Sequence, residues 1–486
     1  MPSRVTNFGK NLDFLVTERF TPANAQEQQV LDILQQYRER SVRVLGALHS
    51  WSDVAYSHDV VLDLRQWCEV QIDPGQQTVT VGAGCTLQHV LKTLAQQGWT
   101  LPTMGSVTRQ TVAGAIMTAT HGSGKESLSH YVQGIKLATY DPQTHKPVIL
   151  LLSGTNGADR EVLRAARCSL GYLGVVLAVT LQCIPAYDVV ETLELVNSVE
   201  EVLHPADLYP LQQFVYIPYA WQFYVFRRQE SGASRPRTRC STYGTQAYRL
   251  YKLVFVDIGL HALVKFFAFG SPGWLTRFFY RQVFPRMALR GRYVTVTDTD
   301  QHTLTLRHDF YRHLEMEVFV PETSLGDALQ LVRYVTEIFA SWRADIVTLD
   351  DEVVSTLHQV PGMTEALKKG AGSYTHHYPV VCRRILPDDA LISMTSGGSS
   401  AYYSLSFFTY RPANPCFASY CHCLATCLVL LYKARLHWGK HFPLTYSEIK
   451  DSYGEETLQR FRQLCIQYDA QGTFQNPYAR RVLGFS

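Results

Sequence analysis

The chain has 486 residues, of which 46% are apolar and 18% charged, and this composition excludes a disordered protein. Its length is enough for about two domains with large cores. The net charge of +3 is small and spread along the sequence, so nucleic acid is not expected as a partner.

The N-terminal segment and the cysteines predict a cytoplasmic protein. The N-terminal segment MPSRVTNFGKNLDF has no apolar h-region, so no secretory signal is expected. The 11 cysteines have no regular spacing, as expected of reduced thiols. Four of them, around the apolar run CHCLATCLVLLY, are expected to be small buried hydrophobes and not metal ligands: Cys416, Cys421, Cys423 and Cys427.

Up to about residue 185 the pattern alternates short strands and helices. Strands are predicted at 42–45, 60–64, 78–81, 134–140 and 148–152, and helices at 23–40, 87–97 and 158–166. Gly98 is expected to end the second helix. Gly171 and Gly174 are expected to bracket a turn into one further buried strand.

Within this half, the stretch LPTMGSVTRQTVAGAIMTATHGSG (101–124) combines glycines with small hydroxyl residues and almost no charge. Glycine allows close approach of the backbone, and successive N–H groups and hydroxyls can cradle phosphate oxygens. The stretch lacks the lysine of a nucleotide-hydrolysing loop, so a large cofactor suits it better. A Gly/Thr-rich surface loop is the alternative that composition alone leaves open.

From Pro185 onward the segments are longer and more aromatic, with strands predicted at 213–217, 223–226, 293–297 and 314–320. This pattern indicates a second domain of mixed α+β type. The apolar segment 251–274 is interrupted by charged residues, so a membrane-spanning helix is not expected. With the arginines that follow it, the segment could rest on a membrane surface, but packing inside the domain is the commoner outcome and is expected here.

Three short patterns carry candidate chemistry. His49 follows a strand in a turn of small residues, where it is either a solvated side chain or a cofactor contact, including covalent attachment through a ring nitrogen. Glu315 and Glu317 are two apart in a strand and share a face, which is costly unless the face is exposed or used. His437 and Lys440, in HWGK, are a weak signal by themselves.

Taken together, four stretches resemble the vanillyl-alcohol-oxidase-type flavoproteins with a PCMH-type FAD-binding domain. Within that group the similarity is to the aldonolactone oxidases, which act on D-arabinono- or L-gulono-1,4-lactone, and to alditol oxidase. The stretches are VLGALHS (44–50), the loop 101–124, GYLGVVLAVTLQ (171–182) and HWGK (437–440). The tail DAQGTFQNPYARRVL (469–483) is also similar.

The resemblance implies an α+β fold with three parts: an FAD-binding domain of two α/β subdomains over 1–185, a mixed α+β substrate or cap domain over 186–436, and a C-terminal segment, 437–486, that returns to the FAD domain. It further implies that His49 is bonded covalently to the flavin. Cofactor contacts are expected at Gly46, Ala47, Leu48, His49, Ser50, Gly105, Ser106, Gln110, Gly114, Ala115, Thr118, Thr120, His121, Gly122, Val175 and Val176. In this chain Leu48 stands where the family usually has glycine.

The implied activity is oxidation of a sugar lactone by hydride transfer to FAD, with molecular oxygen as acceptor and hydrogen peroxide as product. Lys440, His437 and Glu317 are the expected catalytic residues, with Glu315 and Thr409 at the substrate. Gly105 stands where a related lactone dehydrogenase has alanine, and this favours an oxidase. A polyol oxidase and a dehydrogenase with another acceptor remain the alternatives.

Overall fold

The computed structural model describes residues 2–154, 157, 159–204, 207–231, 243–270, 272–289, 295–306, 312–341, 355, 357, 359–411 and 413–485. Within them the chain forms twenty strands: β1 Ser3–Thr6, β2 Asp13–Val16, β3 Glu18–Phe20, β4 Val42–Leu45, β5 Val60–Asp63, β6 Val70–Asp73, β7 Thr78–Gly82, β8 Trp99–Thr100, β9 Val132–Tyr140, β10 Pro147–Ser153, β11 Val175–Gln182, β12 Ile184–Pro185, β13 Asp188–Val196, β14 Gln213–Tyr216, β15 Phe223–Ser231, β16 Thr295–Thr299, β17 His313–Pro321, β18 Val380–Ile385, β19 Tyr402–Tyr410 and β20 Arg435–Leu436.

The α-helices of the described residues are Glu27–Gln36, Leu87–Gln96, Val112–Met117, Arg160–Ala166, Val199–Leu203, Tyr243–Tyr251, His261–Gly270, Gly273–Phe278, Phe284–Leu289, Asp300–Leu304, Leu325–Ala340, Met363–Gly370, Cys416–Tyr432, Tyr446–Tyr453, Glu455–Tyr468 and Pro477–Leu483. π-helical turns at Lys252–Leu260 and Phe279–Val283 join neighbouring helices into two longer segments. The mixture confirms the predicted α+β class.

The N-terminal half contains two separate sheets. A parallel sheet has the order β3-β5-β4, and its central strand β5 is buried at every position, as a strand covered on both faces must be. An antiparallel sheet has the order β10-β9-β11-β7-β6. The predicted helix over 23–40 is shorter in the structure, Glu27–Gln36, whereas helix Leu87–Gln96 closely matches its prediction and Gly98 follows it at a φ of 80°.

The second half is built on one eight-stranded antiparallel sheet with the order β16-β13-β15-β14-β18-β19-β17-β20. Helices Leu325–Ala340, Met363–Gly370 and Cys416–Tyr432 cover one face of this sheet. A hydrogen bond between Thr336 and Tyr420 joins the first of these helices to the last. Cys421, Cys423 and Cys427 are buried in the last of these helices, as their apolar surroundings predict.

After β20 the chain returns to the N-terminal sheets. The buried guanidinium of Arg43, on β4, donates to the carbonyls of Phe474, Leu170 and Val54, and so ties three distant segments together. Asn476 caps helix Pro477–Leu483 and also donates to carbonyls in 53–56. These contacts bring the HWGK segment against the loop that follows β4.

The apolar segment around 251–274 does not pack as predicted over its whole surface. It belongs to a helical hairpin (residues 243–270 and 273–289) whose inner side is buried, whereas several large apolar side chains on its outer side are exposed. No helix of the described ranges is long and apolar enough to cross a bilayer.

Candidate active site

The loop after β4 places His49 beside an open row of backbone donors. Leu48 adopts a left-handed φ of 57°, which turns the chain sharply just before His49. In the described part of the chain, no hydrogen-bond acceptor is found for the backbone N–H groups of Ala47, Leu48 and His49. Gly46 packs so closely on Thr111 that a Cβ there would collide with the Thr111 hydroxyl. Consecutive amides of this kind form a nest that suits an anion.

His49 itself is a neutral, partly enclosed imidazole. Its ring stacks on Phe8 with centroids 4.8 Å apart. Burial, together with the charges of Lys440 and Arg109, lowers its pKa to about 4. The ring is therefore neutral at neutral pH, and one of its two nitrogens is unprotonated and nucleophilic, as attachment to a flavin requires.

The second predicted loop folds back on the first. Gln110 accepts a hydrogen bond from Thr120 at 3.2 Å, and Thr118 donates to the Gly114 carbonyl at 3.3 Å. Ala115 is buried on the same short helix, Val112–Met117. A Cβ at Gly105 would lie 2.6 Å from Thr120 Cγ2, and one at Gly122 would lie 2.8 Å from the Met104 carbonyl. Both glycines are thus needed for the close packing of the loop.

The HWGK segment joins these two loops. Ser50 donates to the Gly439 carbonyl at 3.0 Å, and the Trp51 amide donates to the same carbonyl at 2.8 Å. A Cβ at Gly439 would lie 3.3 Å from Thr118, so the segment also touches the second loop. The C-terminal return therefore brings Lys440 and His437 to the predicted cofactor loops.

The face of the eight-stranded sheet that is not covered by helices forms the wall opposite these loops. This face carries the two predicted glutamates. Lys440 donates to Glu315 in a buried ion pair and lies 4.5 Å from the centre of the Trp51 ring. Burial would raise the pKa of the Glu315 carboxyl, but Lys440 and His313 hold it below its usual value. The Glu315 carboxylate is therefore held in its ion pair with Lys440.

Glu317 has a different environment, between two histidines. His121 Nε2 lies 3.2 Å from Glu317 Oε1, and ligand atoms of His121, Glu317 and His437 all lie within 4.8 Å of one another. Although burial would raise its pKa, His121 and Lys440 hold the Glu317 carboxyl well below its usual value. Within the described residues, Oε1 makes no hydrogen bond of good geometry. This oxygen is therefore enclosed and faces His121 Nε2.

Hydrogen bonds orient the rings of both histidines and define the tautomer of His437. His121 Nδ1–H donates to the Gly122 carbonyl at 3.0 Å, which leaves Nε2 toward Glu317. His437 Nδ1 accepts from the Gly439 amide at 3.0 Å, so its proton is on Nε2. Burial lowers the pKa of His437 to about 3, and the ring is neutral.

Arg383 is a site residue that the sequence patterns missed. Its guanidinium donates to Ser106 Oγ at 2.6 Å and to Gln213 at 3.3 Å. On β18 it lies opposite Ser404 of β19, on the face that also carries Glu317. Burial lowers its pKa while both glutamates raise it. A pair of arginines in the otherwise apolar strand VVCRRI was the signal available in the sequence.

Some predicted residues are not brought to this cleft. Thr409 is opposite Leu314 in the sheet register, whereas Glu315 is opposite Phe408, so Thr409 lies on the helix-covered face. Val175 and Val176 are buried in β11, with their partners in β9. Both valines lie behind helix Val112–Met117. Ala83, which neighbours that helix, donates its backbone N–H to the Leu177 carbonyl of β11 at 2.9 Å.

The two loops fit FAD. Unpaired amides in 47–49 suit a pyrophosphate, the neutral His49 suits attachment, and the small residues of 105–122 allow a ring system to approach the backbone closely. A cluster of two histidines and a glutamate could also hold a metal, but the adjoining charges of Lys440 and Arg383 oppose a cation there.

Comparison with known proteins agrees with this reading. The family described as FAD binding domain matches residues 21–146, and the family described as D-arabinono-1,4-lactone oxidase matches residues 179–482. A long-chain alcohol oxidase from an uncultured marine euryarchaeote is 39% identical over 98% of this chain and 96% of its own. L-gulonolactone oxidase from Bos taurus is 25% identical over 95% and 94%.

Solved structures support the fold. Cholesterol oxidase from B. sterolicum superimposes with a TM-score of 0.73, covering 99% of this chain and 97% of its own, at 13% identity. A solvent-stable cholesterol oxidase gives 0.68 over 100% and 98%, at 14% identity. At these identities the likeness concerns the fold alone.

Proposed function

The chain belongs to the D-arabinono-1,4-lactone oxidase family, and on that premise we propose that it oxidises a carbinol carbon of an aldonolactone, with oxygen as the final acceptor. It is an FAD-linked oxidoreductase that acts on CH–OH groups. When bound by the two loops, FAD would supply the hydride acceptor, and oxygen would take up the two electrons as hydrogen peroxide.

The observation that carries the proposal is the buried polar wall opposite the cofactor loops. The Glu317 carboxylate, held beside His121, would accept the proton of the reacting hydroxyl. Arg383 and Ser106 would bind the polar part of the substrate, and Lys440 would hold it against the loops. Several charged and hydroxyl groups on one buried wall match a small substrate with many oxygens.

This arrangement also gives a reason to prefer Glu317 over Glu315 for proton transfer. Glu315 is occupied by Lys440, which donates to its carboxylate. Glu317 borders His121 and His437, which can redistribute a proton after it is accepted. We therefore assign Glu315 to positioning of Lys440.

A long-chain alcohol is the second candidate substrate. The long-chain alcohol oxidase is 39% identical to this chain, compared with 25% for the bovine lactone oxidase. A primary alcohol would need only the hydroxyl contacts at Glu317, with its alkyl chain directed away from Arg383. The same chemistry therefore serves both candidates, and substrate preference separates them.

An anaerobic substrate screen tests the proposal. Purified holoenzyme is mixed with D-arabinono-1,4-lactone, L-gulono-1,4-lactone, xylitol or decan-1-ol, and loss of flavin absorbance is followed. Fast bleaching by a lactone, with one peroxide formed per turnover in air, is expected. Bleaching by decan-1-ol alone would replace the first candidate with the second, and peroxide-free turnover with an artificial acceptor would indicate a dehydrogenase.

The role of Glu317 is tested by Glu317→Gln with Glu322→Gln as the control. The control residue follows the same strand but pairs with Arg384 at 3.0 Å, away from the two loops. We expect Glu317→Gln to slow flavin reduction by about a hundredfold or more, the range of general-base catalysis, and Glu322→Gln to leave it unchanged. Equal rates for both variants would remove Glu317 from the reaction.

Covalent attachment through His49 has its own test. Flavin fluorescence should stay with the wild-type protein band on a denaturing gel and disappear in His49→Ala. His58→Ala is the control, because His58 is 64% exposed in the same segment. Release of free flavin from the wild type on acid precipitation would contradict the linkage.

A further inference from the structure

Two cysteines and a histidine converge in the N-terminal half, outside the candidate active site. Cys68 precedes β6, Cys85 follows β7, and His89 lies in the first turn of helix Leu87–Gln96. The Sγ atoms of both cysteines and a ring nitrogen of His89 all lie within 4.8 Å of one another. Both thiols are free, with Cys85 buried, Cys68 half-buried and His89 exposed. The group therefore reaches from the protein interior to solvent.

The backbone holds the two sulfur atoms together. The Gly84 N–H donates to the Trp67 carbonyl at 2.9 Å. A Cβ at Gly82 would lie 2.5 Å from the same carbonyl oxygen, so a larger residue there would push the two chain segments apart. The two glycines of GAGC (82–85) thus allow a close approach of the backbone, and this approach brings Cys85 to Cys68.

Within the described ranges, the donor atoms of this group have few other partners. Besides its hydrogen bond with Cys68, Cys85 Sγ makes only a weak contact, 3.9 Å from the Thr86 carbonyl. Burial and the neighbouring Cys68 raise the pKa of the Cys85 thiol. His89 hydrogen-bonds to Thr86 and Thr93 through its backbone atoms, and its ring nitrogens are open to a ligand.

The donor types select the ion. Two thiolates and an imidazole suit Zn²⁺, whereas Mg²⁺ and Ca²⁺ take oxygen ligands. The two thiolates also neutralise the double charge of the ion, so the occupied site carries no net charge. Three protein ligands leave the fourth tetrahedral position to water, which can enter beside the exposed His89.

We propose that Cys68, Cys85 and His89 bind one zinc ion, with water as the fourth ligand. As each zinc–sulfur bond forms, the S–H bond of that thiol breaks and its proton goes to solvent, and no electron is transferred. This inference does not depend on which alcohol the enzyme oxidises.

The proposed zinc site lies behind the second cofactor loop. The Val112 N–H donates to the Cys85 carbonyl at 2.7 Å, and the Leu87 N–H donates to the Gln110 carbonyl at 2.9 Å. These hydrogen bonds fasten the loop to the turn that carries Cys85. A zinc ion bound there would restrain the backbone of residues 110–112.

Metal titration of the FAD-loaded full chain tests the proposal. After reduction and treatment with a chelator, the protein should bind one Zn²⁺, and Co²⁺ should give a thiolate-to-metal charge-transfer band in the difference spectrum. That band separates this site from the cluster of His121, Glu317 and His437, which has no sulfur ligand. Absence of zinc binding, or of the band, overturns the proposal.

Substitutions identify the ligands. Cys68→Ser and His89→Gln should each weaken zinc binding by about a hundredfold or more, because losing a direct ligand costs at least as much as losing an outer-shell partner. The control is Cys416→Ser/His422→Gln. It replaces a half-buried cysteine and an exposed helical histidine that belong to no converging group of the described residues, and it should bind zinc like the wild type. Equal zinc affinity in all variants overturns the proposal.

Stability measurements keep the result interpretable. Zinc should raise the melting temperature of the wild type and of the control, but not of the ligand variants. If Cys68→Ser loses its flavin, His89→Gln decides, because its side chain is exposed. A Cys68–Cys85 disulfide that resists reductant and excludes zinc would also overturn the proposal.

Hydrogen exchange tests the effect on the cofactor loop. Zinc should slow exchange of the amide protons in residues 110–112 of the wild type and leave exchange in His89→Gln unchanged. Unchanged exchange in the zinc-loaded wild type would show that the ion does not restrain this loop.

Discussion

Lys440 and Glu315 form a buried ion pair that links the C-terminal segment to strand β17. The ammonium group also faces the Trp51 ring, whose backbone is held by Gly439. A single contact thus connects the cap sheet, the His49 loop and the HWGK turn. Because both charges are shielded from water, removal of either one leaves the other uncompensated.

We expect Lys440→Met to lower the free energy of unfolding by about 3–5 kcal/mol, the cost of an orphaned buried charge. Lys440→Met/Glu315→Gln should recover most of this loss, since neither charge then remains. Flavin reduction should stay slow in both variants if Lys440 contacts the substrate. Denaturant unfolding and stopped-flow absorbance measure the two effects, and a double variant with normal turnover would assign the pair to stability only.

Stability should fall steeply in acid because several buried histidines have a lowered pKa. Burial lowers the pKa of His49, His261, His376, His377, His437 and His441. In the unfolded chain these histidines bind protons at about pH 6.5, whereas in the folded chain His49, His261, His377 and His441 do so only at about pH 4, His437 only at about pH 3, and His376 only well below its usual pKa. Their contribution is therefore complete above about pH 6.5 and is lost progressively as the pH falls below that value.

His441→Phe isolates one of these groups. The His441 Nε2 atom is buried and, in the described chain, unpartnered, and its ring lies near Phe417. We expect the variant to lose stability less steeply with falling pH, by about 1.4 kcal/mol per pH unit for one proton. Asp469, whose pKa burial raises to about 6, acts in the opposite direction and is unchanged in the variant. Parallel curves of unfolding free energy against pH for both proteins would contradict this assignment.

Gly105→Ala should slow reoxidation of the flavin by oxygen more than its reduction by substrate. The added methyl group would lie 2.6 Å from Thr120 Cγ2, so the loop must also shift. Gly105→Ala/Thr120→Ser removes that clash and separates the two effects. If the methyl group blocks oxygen, the double variant regains stability but still reoxidises slowly; recovery of both would show that loop packing alone was responsible.

Leu48→Gly should be more stable than Leu48→Ala by about 1–2 kcal/mol. Both lose the packing of Leu48 on the cluster of Val5 and Val16, but only glycine relieves the left-handed backbone at 48. Thermal unfolding of the two variants measures the difference. Both should retain flavin if the backbone, and not the leucine side chain, forms the loop; equal stability would mean that the left-handed turn carries no strain.

The match between sequence and structure is closest where local chemistry decides. Strands β4, β5 and β7, helix Leu87–Gln96 and the loops around His49 and Gly105 follow from apolar runs, caps and glycines within a few residues. The shared face of Glu315 and Glu317 follows from the two-residue period of a strand. Arg383 and the two histidines around Glu317 could not be placed this way, because strand register and domain packing bring them together.

The sequence alone therefore determined the fold class, the FAD loops and the family, because glycine positions and hydrophobic periodicity are local properties that survive in any context. Only the tertiary structure decided how the two glutamates are paired, since Lys440, from a segment more than a hundred residues away, forms the ion pair with Glu315 while His121 faces Glu317. The tertiary structure also places Thr409 on the helix-covered face of the eight-stranded sheet and leaves one side of the apolar helical hairpin exposed. Each of these outcomes depends on long-range register and burial, which no short stretch of sequence encodes.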